Sequence, residues 1–283
     1  MPNGFGRTAE DLKTLPLAFR DGYLAGKVAI VSGAGSGIGK ATAFWFARLG
    51  AKLVICGRDK ERLEHTASEL RTMGTEVLAQ QINIRDVDQV NALYDTAYGT
   101  FGTVDILVNN AGGQFPQAAI DFSPKGWNAV IDTNLNGSWY MMQNAARRWR
   151  DANRSGTIVN VVTVVWRGMP GLAHTCAARA GVIYLSKTLA IEWAPLNIRV
   201  NCVAPGIIAT EGMNVYSEEA RQDMPNSNPM KRFGQPEDVA NAICYLAGDT
   251  GSFITGEVLV VDGGNQVWGD QWTIPRPDWF RPT

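Results

Sequence analysis

Short apolar runs alternate with longer amphipathic stretches along this chain. The run KVAIVSG from Lys27 predicts a strand closed by Gly33, and the apolar spacing after it predicts a helix over 37–49 that stops at Gly50. AKLVICG from Ala51 predicts a second strand, 60–73 a charged surface helix, and EVLAQQI from Glu76 a third strand. A helix over 86–98 and a strand at VDILVNN from Val104 follow. One long helical region is expected over 124–150, then a strand at TIVNVV from Thr157 and a long helix over 172–193. IRVNCVA from Ile198, a helix over 237–246 and EVLVVDGG from Glu257 complete the pattern.

Strands separated by helices must pair in parallel, because parallel neighbours need crossover connections. The strands are continuous Val/Ile/Leu runs, as expected when helices cover both faces. The fold class expected is α/β: a single doubly wound Rossmann-type domain with a seven-stranded parallel sheet. It would occupy residues 26–264, after a polar N-terminal arm over 1–25 and before a Trp/Pro-rich tail over 265–283. Trp268, Trp272, Trp279 and Phe280 in that tail need burial, against the chain's own surface, a neighbouring subunit or a substrate pocket.

The charge balance narrows the partners. There are 26 Lys+Arg against 27 Asp+Glu, a net charge of −1, without the basic surplus that nucleic-acid binding needs. No uncharged apolar stretch reaches the ~18 residues of a membrane span, and the N-terminus has no secretory-type apolar run. The last residues, Arg281-Pro282-Thr283, do not form a peroxisomal signal, so a cytoplasmic location is expected. Cys56, Cys176, Cys202 and Cys244 are widely spaced and are expected as free, mostly buried thiols. With only His65 and His174 in the chain, no His-rich metal site is expected.

Candidate chemistry begins between the first strand and first helix, at Ser32-Gly33-Ala34-Gly35-Ser36-Gly37-Ile38-Gly39. Gly33 permits a tight turn, Gly37 lets backbone approach a pyrophosphate, and Gly39 lets helix lie close on strand. Ser36 and Ile38 lie in the same turn, and the helix N-terminus offers N–H groups to phosphate. The second strand then ends in Gly57-Arg58-Asp59. A carboxylate at this point suits a ribose 2′-hydroxyl, whereas an Arg suits a 2′-phosphate. Arg58 therefore favours NADP(H), and Asp59 keeps NAD(H) possible.

The glycine spacing, Asn109-Asn110-Ala111-Gly112 after the fourth strand, Asn134 on the long helix, and Arg199-Val200-Asn201 leading to Pro205-Gly206-Ile207-Ile208-Ala209-Thr210 resemble the short-chain dehydrogenase/reductase family over roughly 24–264. That resemblance implies one NAD(P)(H)-binding domain in a homodimer or homotetramer acting on a small-molecule substrate. It places Asn109, Asn110, Ala111 and Gly112 on the adenosine side, with Asn83 and Ile84 as further cofactor contacts. Pro205, Gly206, Ile208 and Thr210 would hold the nicotinamide end, and about 210–232 would form a substrate lid.

The resemblance also exposes a departure. The family works with Asn, Ser, Tyr and Lys, the last two four residues apart on one helix. Here Asn134 matches the Asn and Thr163 the Ser, while the segment Ala177-Ala178-Arg179-Ala180-Gly181 puts Arg179 at the Lys position and Thr175 at the Tyr position. Tyr184 and Lys187 are three apart, and Tyr184 lies about 180° round the helix from Thr175, so core or subunit packing is its expected role. A Thr hydroxyl is too weak an acid to protonate an alkoxide, the task of a phenol of pKa about 10. Arg179 stays charged and would hold the cofactor ribose. An enolate asks only for hydrogen-bond donors, which Thr175, Thr163 and the Asn134 amide are expected to supply.

Asn109 to Phe115, Lys125-Gly126-Trp127 and His174 to Val182 resemble the trans-2-enoyl-CoA reductase branch of that family, close to the 2,4-dienoyl-CoA reductases. The function expected is NADP(H)-dependent reduction of the C=C bond of an unsaturated acyl-CoA or enone. The competing readings are a dehydrogenase of a hydrophobic secondary alcohol or ketone, and a cofactor-binding subunit without catalysis. His174 is expected either as a proton donor or as a structural, hydrogen-bonded histidine. Trp166 and Met169 are candidate pocket walls or packing residues, and Trp127, Trp139 and Trp149 candidates for a subunit interface.

Overall fold

The computed structural model describes residues 5–267, so the tail tryptophans lie outside the described residues. The strands are β1 (Val28–Ser32), β2 (Lys52–Gly57), β3 (Val77–Gln81), β4 (Ile106–Asn109), β5 (Gly156–Val161), β6 (Ile198–Pro205) and β7 (Val258–Val261). The helices are α1 (Ala9–Thr14), α2 (Gly37–Arg48), α3 (Lys60–Thr72), α4 (Val87–Phe101), α5 (Pro124–Ile131), α6 (Gly137–Asp151), α7 (Ala173–Glu192), α8 (Glu218–Asp223) and α9 (Pro236–Ala247). All seven strands join one sheet in the order β3-β2-β1-β4-β5-β6-β7, every pairing parallel. This is the doubly wound architecture expected from the sequence.

Alternation along the strands sorts the core into two layers. Ala29, Val31, Leu53 and Ile55 point toward α2, α3 and α9, where Phe44, Trp45 and Phe46 are fully buried. Val28, Ile30, Val54 and Cys56 point toward α4, α6 and the end of α7. Burying each such large side chain contributes about 1.5–3 kcal/mol. Local chemistry sets the helix starts. Asp59 caps α3, Asp86 caps α4 by accepting from Asp88 and Gln89 N–H, and Ser123 caps α5 with Pro124 at its first position. Gly102, left-handed at φ 75°, ends α4.

The structure corrects several expectations. The long helix is broken: α5 and α6 are joined by a π-helical turn, Asp132–Asn136. Trp149 is fully buried and donates to the Val104 carbonyl at 2.6 Å, so it belongs to the core and not to a surface. Trp139 stacks on Trp193, while Trp127 is partly exposed. Tyr184 is 75% exposed, which removes it from the core. The N-terminal arm is bound to the domain. Leu12 and Leu24 are buried, Arg7 pairs with Glu237 at the start of α9, and Gly6 N–H donates to the Ala209 carbonyl at 3.2 Å. Cys56, Cys202 and Cys244 are buried free thiols, and Cys176 is half-buried.

Candidate active site

Strand order reverses between β1 and β4, and a crevice opens where neighbouring strands lead their chains in opposite directions. Its floor is a hydrogen-bonded knot. The Ser32 hydroxyl accepts from the Asn110 and Ala111 N–H groups at 3.1 and 3.0 Å, and Asn110 Nδ2 donates to the Ser32 and Gly33 carbonyls at 2.9 and 3.2 Å. Gly33 turns at φ 69°, and a Cβ there would meet Ala111 Cα at 2.9 Å. A Cβ at Gly39 would overlap the Gly33 carbonyl, so only glycine lets α2 sit this close.

The cleft above this knot measures about 550 Å³. Gly33, Ser36, Gly37 and Ile38 form one wall, and Asn110, Ala111 and Gly112 the other. Arg58, Asn83 and Ile84 border its outer end, and Thr210 its inner end. Ser36 is the N-cap of α2 but its side chain makes no capping bond, which leaves the helix N-terminus available to an anion. Gly39 is buried beneath the loop and supports it without facing the cleft.

At the outer end Arg58 is exposed, and Arg62 borders the same space. Asp59 borders the same cleft while bonded to its own helix: Oδ1 accepts from Arg62 N–H at 3.0 Å, and Oδ2 lies 3.2 Å from Arg62 Nε. The carboxylate is thereby engaged by α3, and this end of the cleft carries two guanidinium groups beside it. Arg62 escaped the sequence reading because it lies on a helix face rich in charge; its spacing from the Asp59 cap was the available signal.

Asn134 lies in the π-helical turn and is buried. Its Oδ1 accepts from Gly113 N–H and its Nδ2 donates to the Gly113 carbonyl, both at 3.0 Å. Its own carbonyl accepts from Arg179 Nη1 at 3.4 Å and from the Ser138 hydroxyl at 3.0 Å. One amide hydrogen of Asn134 is thus spent on Gly113, which qualifies its expected role as a donor to substrate. Arg179, near the start of α7, is 7% exposed, and no carboxylate among the described residues pairs with it. Burial lowers its pKa to about 10, so it remains a cation at neutral pH. Its guanidinium fills the space where a Cβ on Gly112 would stand.

A second cleft, also about 550 Å³, adjoins the first through segments 112–114 and 210–213. Met169, Leu172, Ile207, Met213 and Met224 give it apolar walls. Thr163 borders it, as do Gly206, Gln114 and Tyr216. Gln114 Nε2 donates to the Tyr216 hydroxyl at 2.6 Å. Met169 is a wall as expected, but Trp166 is 52% exposed and borders neither cleft. No local pattern points to Tyr216, which sits in an irregular segment far along the chain from Gln114.

Thr175 is placed differently from expectation. It is 3% exposed and borders neither cleft. Its hydroxyl lies 3.2 Å from His174 Nδ1, which also accepts from Thr175 N–H at 2.7 Å. His174 is fully buried between Phe122, stacked at 4.4 Å, and Phe115, edge-on at 4.7 Å. Burial lowers its pKa, against the carbonyls of Phe115 and Leu172, which favour the cation. This is a neutral packing histidine, the structural alternative of the two.

Three carried-over positions also shift. Asn109 is buried beneath the cleft, its amide donating to Asn160 Oδ1 and the Ser138 carbonyl. Pro205 is buried at the end of β6. Ile208 is 4% exposed and packs into the core layer of α2 and α9, whereas its neighbour Ile207 faces the second cleft. Among the described residues no cluster of His, Cys, Asp or Glu is arranged to hold a metal. No described helix is long and apolar enough to cross a membrane.

Residues 33–266 match a family model described as Enoyl-(Acyl carrier protein) reductase. The chain is 38% identical over 256 residues to the Bacillus subtilis protein named "Probable 2,4-dienoyl-CoA reductase", covering 89% of this chain and 98% of the relative. It is 40% identical over 242 residues to the 3-oxoacyl-(acyl-carrier-protein) reductase FabG of Thermotoga maritima, covering 85% and 98%. Its fold is similar to the solved structure of the citronellol catabolism dehydrogenase AtuB of Pseudomonas aeruginosa, with a TM-score of 0.79 and 36% identity over 88% of this chain and 98% of that one.

Proposed function

The chain belongs to the short-chain dehydrogenase/reductase family of NAD(P)-dependent oxidoreductases, and from that premise we propose that it uses NADP(H) to reduce the C=C bond of an α,β-unsaturated acyl thioester. The residues present fit such a cofactor. The uncapped start of α2 and the Gly33–Gly39 loop suit a pyrophosphate. Arg58 and Arg62 suit a 2′-phosphate, and Asp59, the candidate for a free 2′-hydroxyl, is held by its own helix. Arg179 would hold the nicotinamide ribose, beside Gly112.

When bound, reduced nicotinamide supplies a hydride. What the protein must add depends on where the negative charge then appears. An alkoxide needs a proton at once, from an acid next to it. An enolate needs donors aimed at its oxygen. The observation that carries the reading lies on α7. The residue one turn before Arg179 is Thr175, a weak acid whose hydroxyl faces His174 instead of the cleft. Thr163 remains as a hydroxyl on the substrate side, and Arg179 keeps the site electropositive toward a developing anion. The apolar walls of the second cleft suit an acyl chain.

Reduction of a 3-oxoacyl thioester is the second reading, favoured by the likeness to FabG. Family likeness also favours a homodimer or homotetramer in the cytoplasm. The test is the loss of NADPH absorbance with crotonyl-CoA and, separately, acetoacetyl-CoA. Turnover of crotonyl-CoA alone supports the first reading; turnover of acetoacetyl-CoA alone replaces it with the second.

A further inference from the structure

The position one turn before Arg179 on α7 carries Thr175 instead of a phenol, yet a phenol from another segment borders the substrate cleft. Tyr216 follows the short 3-10 turn Glu211–Val215 in the lid segment, and its backbone N–H donates to the Met213 carbonyl at 3.1 Å. Its ring borders the second cleft together with Thr163. Gln114 holds its hydroxyl at 2.6 Å. Gln114 is itself well anchored. The preceding residue, Gly113, is clamped by Asn134 through two hydrogen bonds, and Gly112 lies against the Arg179 guanidinium. A lid residue is thus tied to the rigid segment that separates the two clefts.

The direction of that bond matters. The amide nitrogen donates, so the phenol oxygen accepts and keeps its own O–H to give. No other partner of the hydroxyl occurs among the described residues. We propose that Tyr216 is a catalytic residue whose hydroxyl, aimed by Gln114, donates a hydrogen bond to the thioester oxygen as negative charge develops there. This rests on the reading of the site as a thioester reductase. In that reaction the substrate's β-carbon gains the hydride, and its π pair moves to form the enolate. The α-carbon then takes a proton from water; the two-electron reductant is NADPH. Tyr216 keeps its proton throughout. Burial raises its pKa, opposed by the Gln114 bond, so the hydroxyl stays protonated and able to donate across the neutral range.

The experiment compares wild type, Tyr216→Phe, Gln114→Leu and the double variant on crotonyl-CoA and acetoacetyl-CoA, each with NADPH. On whichever thioester the wild type reduces, Tyr216→Phe is expected to lower kcat by about 100-fold, the usual cost of losing one such donor. KM, NADPH affinity and Tm should hold, since only a hydroxyl is removed. Gln114→Leu should lower kcat less, and the double variant no more than Tyr216→Phe alone, because the two act as a unit. Unchanged kcat in Tyr216→Phe, or a change confined to KM, overturns the proposal. Wild-type turnover of acetoacetyl-CoA alone rejects the C=C reading while Tyr216 is still judged on the ketone. No turnover of either thioester rejects both.

Discussion

Asn134 and the Gly113 peptide exchange two hydrogen bonds of 3.0 Å, one in each direction. The π-helical turn places Asn134 where it can do this, and such single-turn departures from α-helix recur at functional sites. The pair fixes segment 112–114, which has the cofactor cleft on one side and the substrate cleft on the other. Asn134→Ala leaves both Gly113 groups unpaired. It is expected to cost about 2–3 kcal/mol of stability and to lower kcat. Thermal unfolding and steady-state kinetics check it; wild-type values for both would show that the segment holds its position unaided.

Gly112 tests the same wall by addition. A Cβ there would overlap Arg179 Nη2 and stand 3.0 Å from Asn134 Oδ1. Gly112→Ala should displace the guanidinium and weaken NADPH binding at least about tenfold, an overpacking cost of about 1–3 kcal/mol. Fluorescence titration with NADPH measures it.

Arg179 predicts opposite signs for stability and activity. Burial lowers its pKa to about 10 in the folded chain, below the ordinary guanidinium value, so the unfolded chain binds more protons above about pH 10. Its contribution to stability therefore rises with pH above about 10, and below that its burial costs about 3 kcal/mol. Arg179→Met removes an unpaired buried cation and should leave Tm unchanged or higher, while turnover collapses. A lower Tm would mean that packing of its stem, and not its charge, dominates.

Much of this was legible in the sequence. The strands announced themselves as apolar runs, and the Gly33–Gly39 loop sat in the only context, strand then helix, that gives it meaning. The break at Asp132–Asn136 was not read from the sequence, because apolar spacing continues across it and no proline interrupts 125–150. Thr175 could be placed on the right helix, but not turned toward His174, since side-chain direction depends on the packing of Phe115 and Phe122 around that ring. Tyr216 meets Gln114 across 102 residues of chain, a contact that no local pattern encodes.

Cofactor choice should depend on the two arginines at the cleft's outer end. Each charge-assisted contact to a 2′-phosphate is worth about 1.5–3 kcal/mol. Arg58→Ala with Arg62→Ala should therefore cost NADPH at least about 100-fold in affinity while NADH changes little. Equal losses for both cofactors would place neither arginine at the 2′ position. Arg62→Ala also releases Asp59 Oδ2, so a gain in NADH affinity is an acceptable secondary result.

Thr175→Val removes the hydroxyl beside His174 in a buried site. The expected result is a stability loss of about 1 kcal/mol and a kcat within about tenfold of wild type. A larger fall in kcat with unchanged Tm would return Thr175 to direct contact with substrate.

The central claim concerns which carbon is reduced, and isotope placement reads it directly. The protein is supplied with NADPH deuterated at the transferable position together with crotonyl-CoA and acetoacetyl-CoA, and the product is analysed by NMR and mass spectrometry. The account predicts deuterium on the β-carbon of butyryl-CoA. Deuterium found only on the carbinol carbon of 3-hydroxybutyryl-CoA would contradict it.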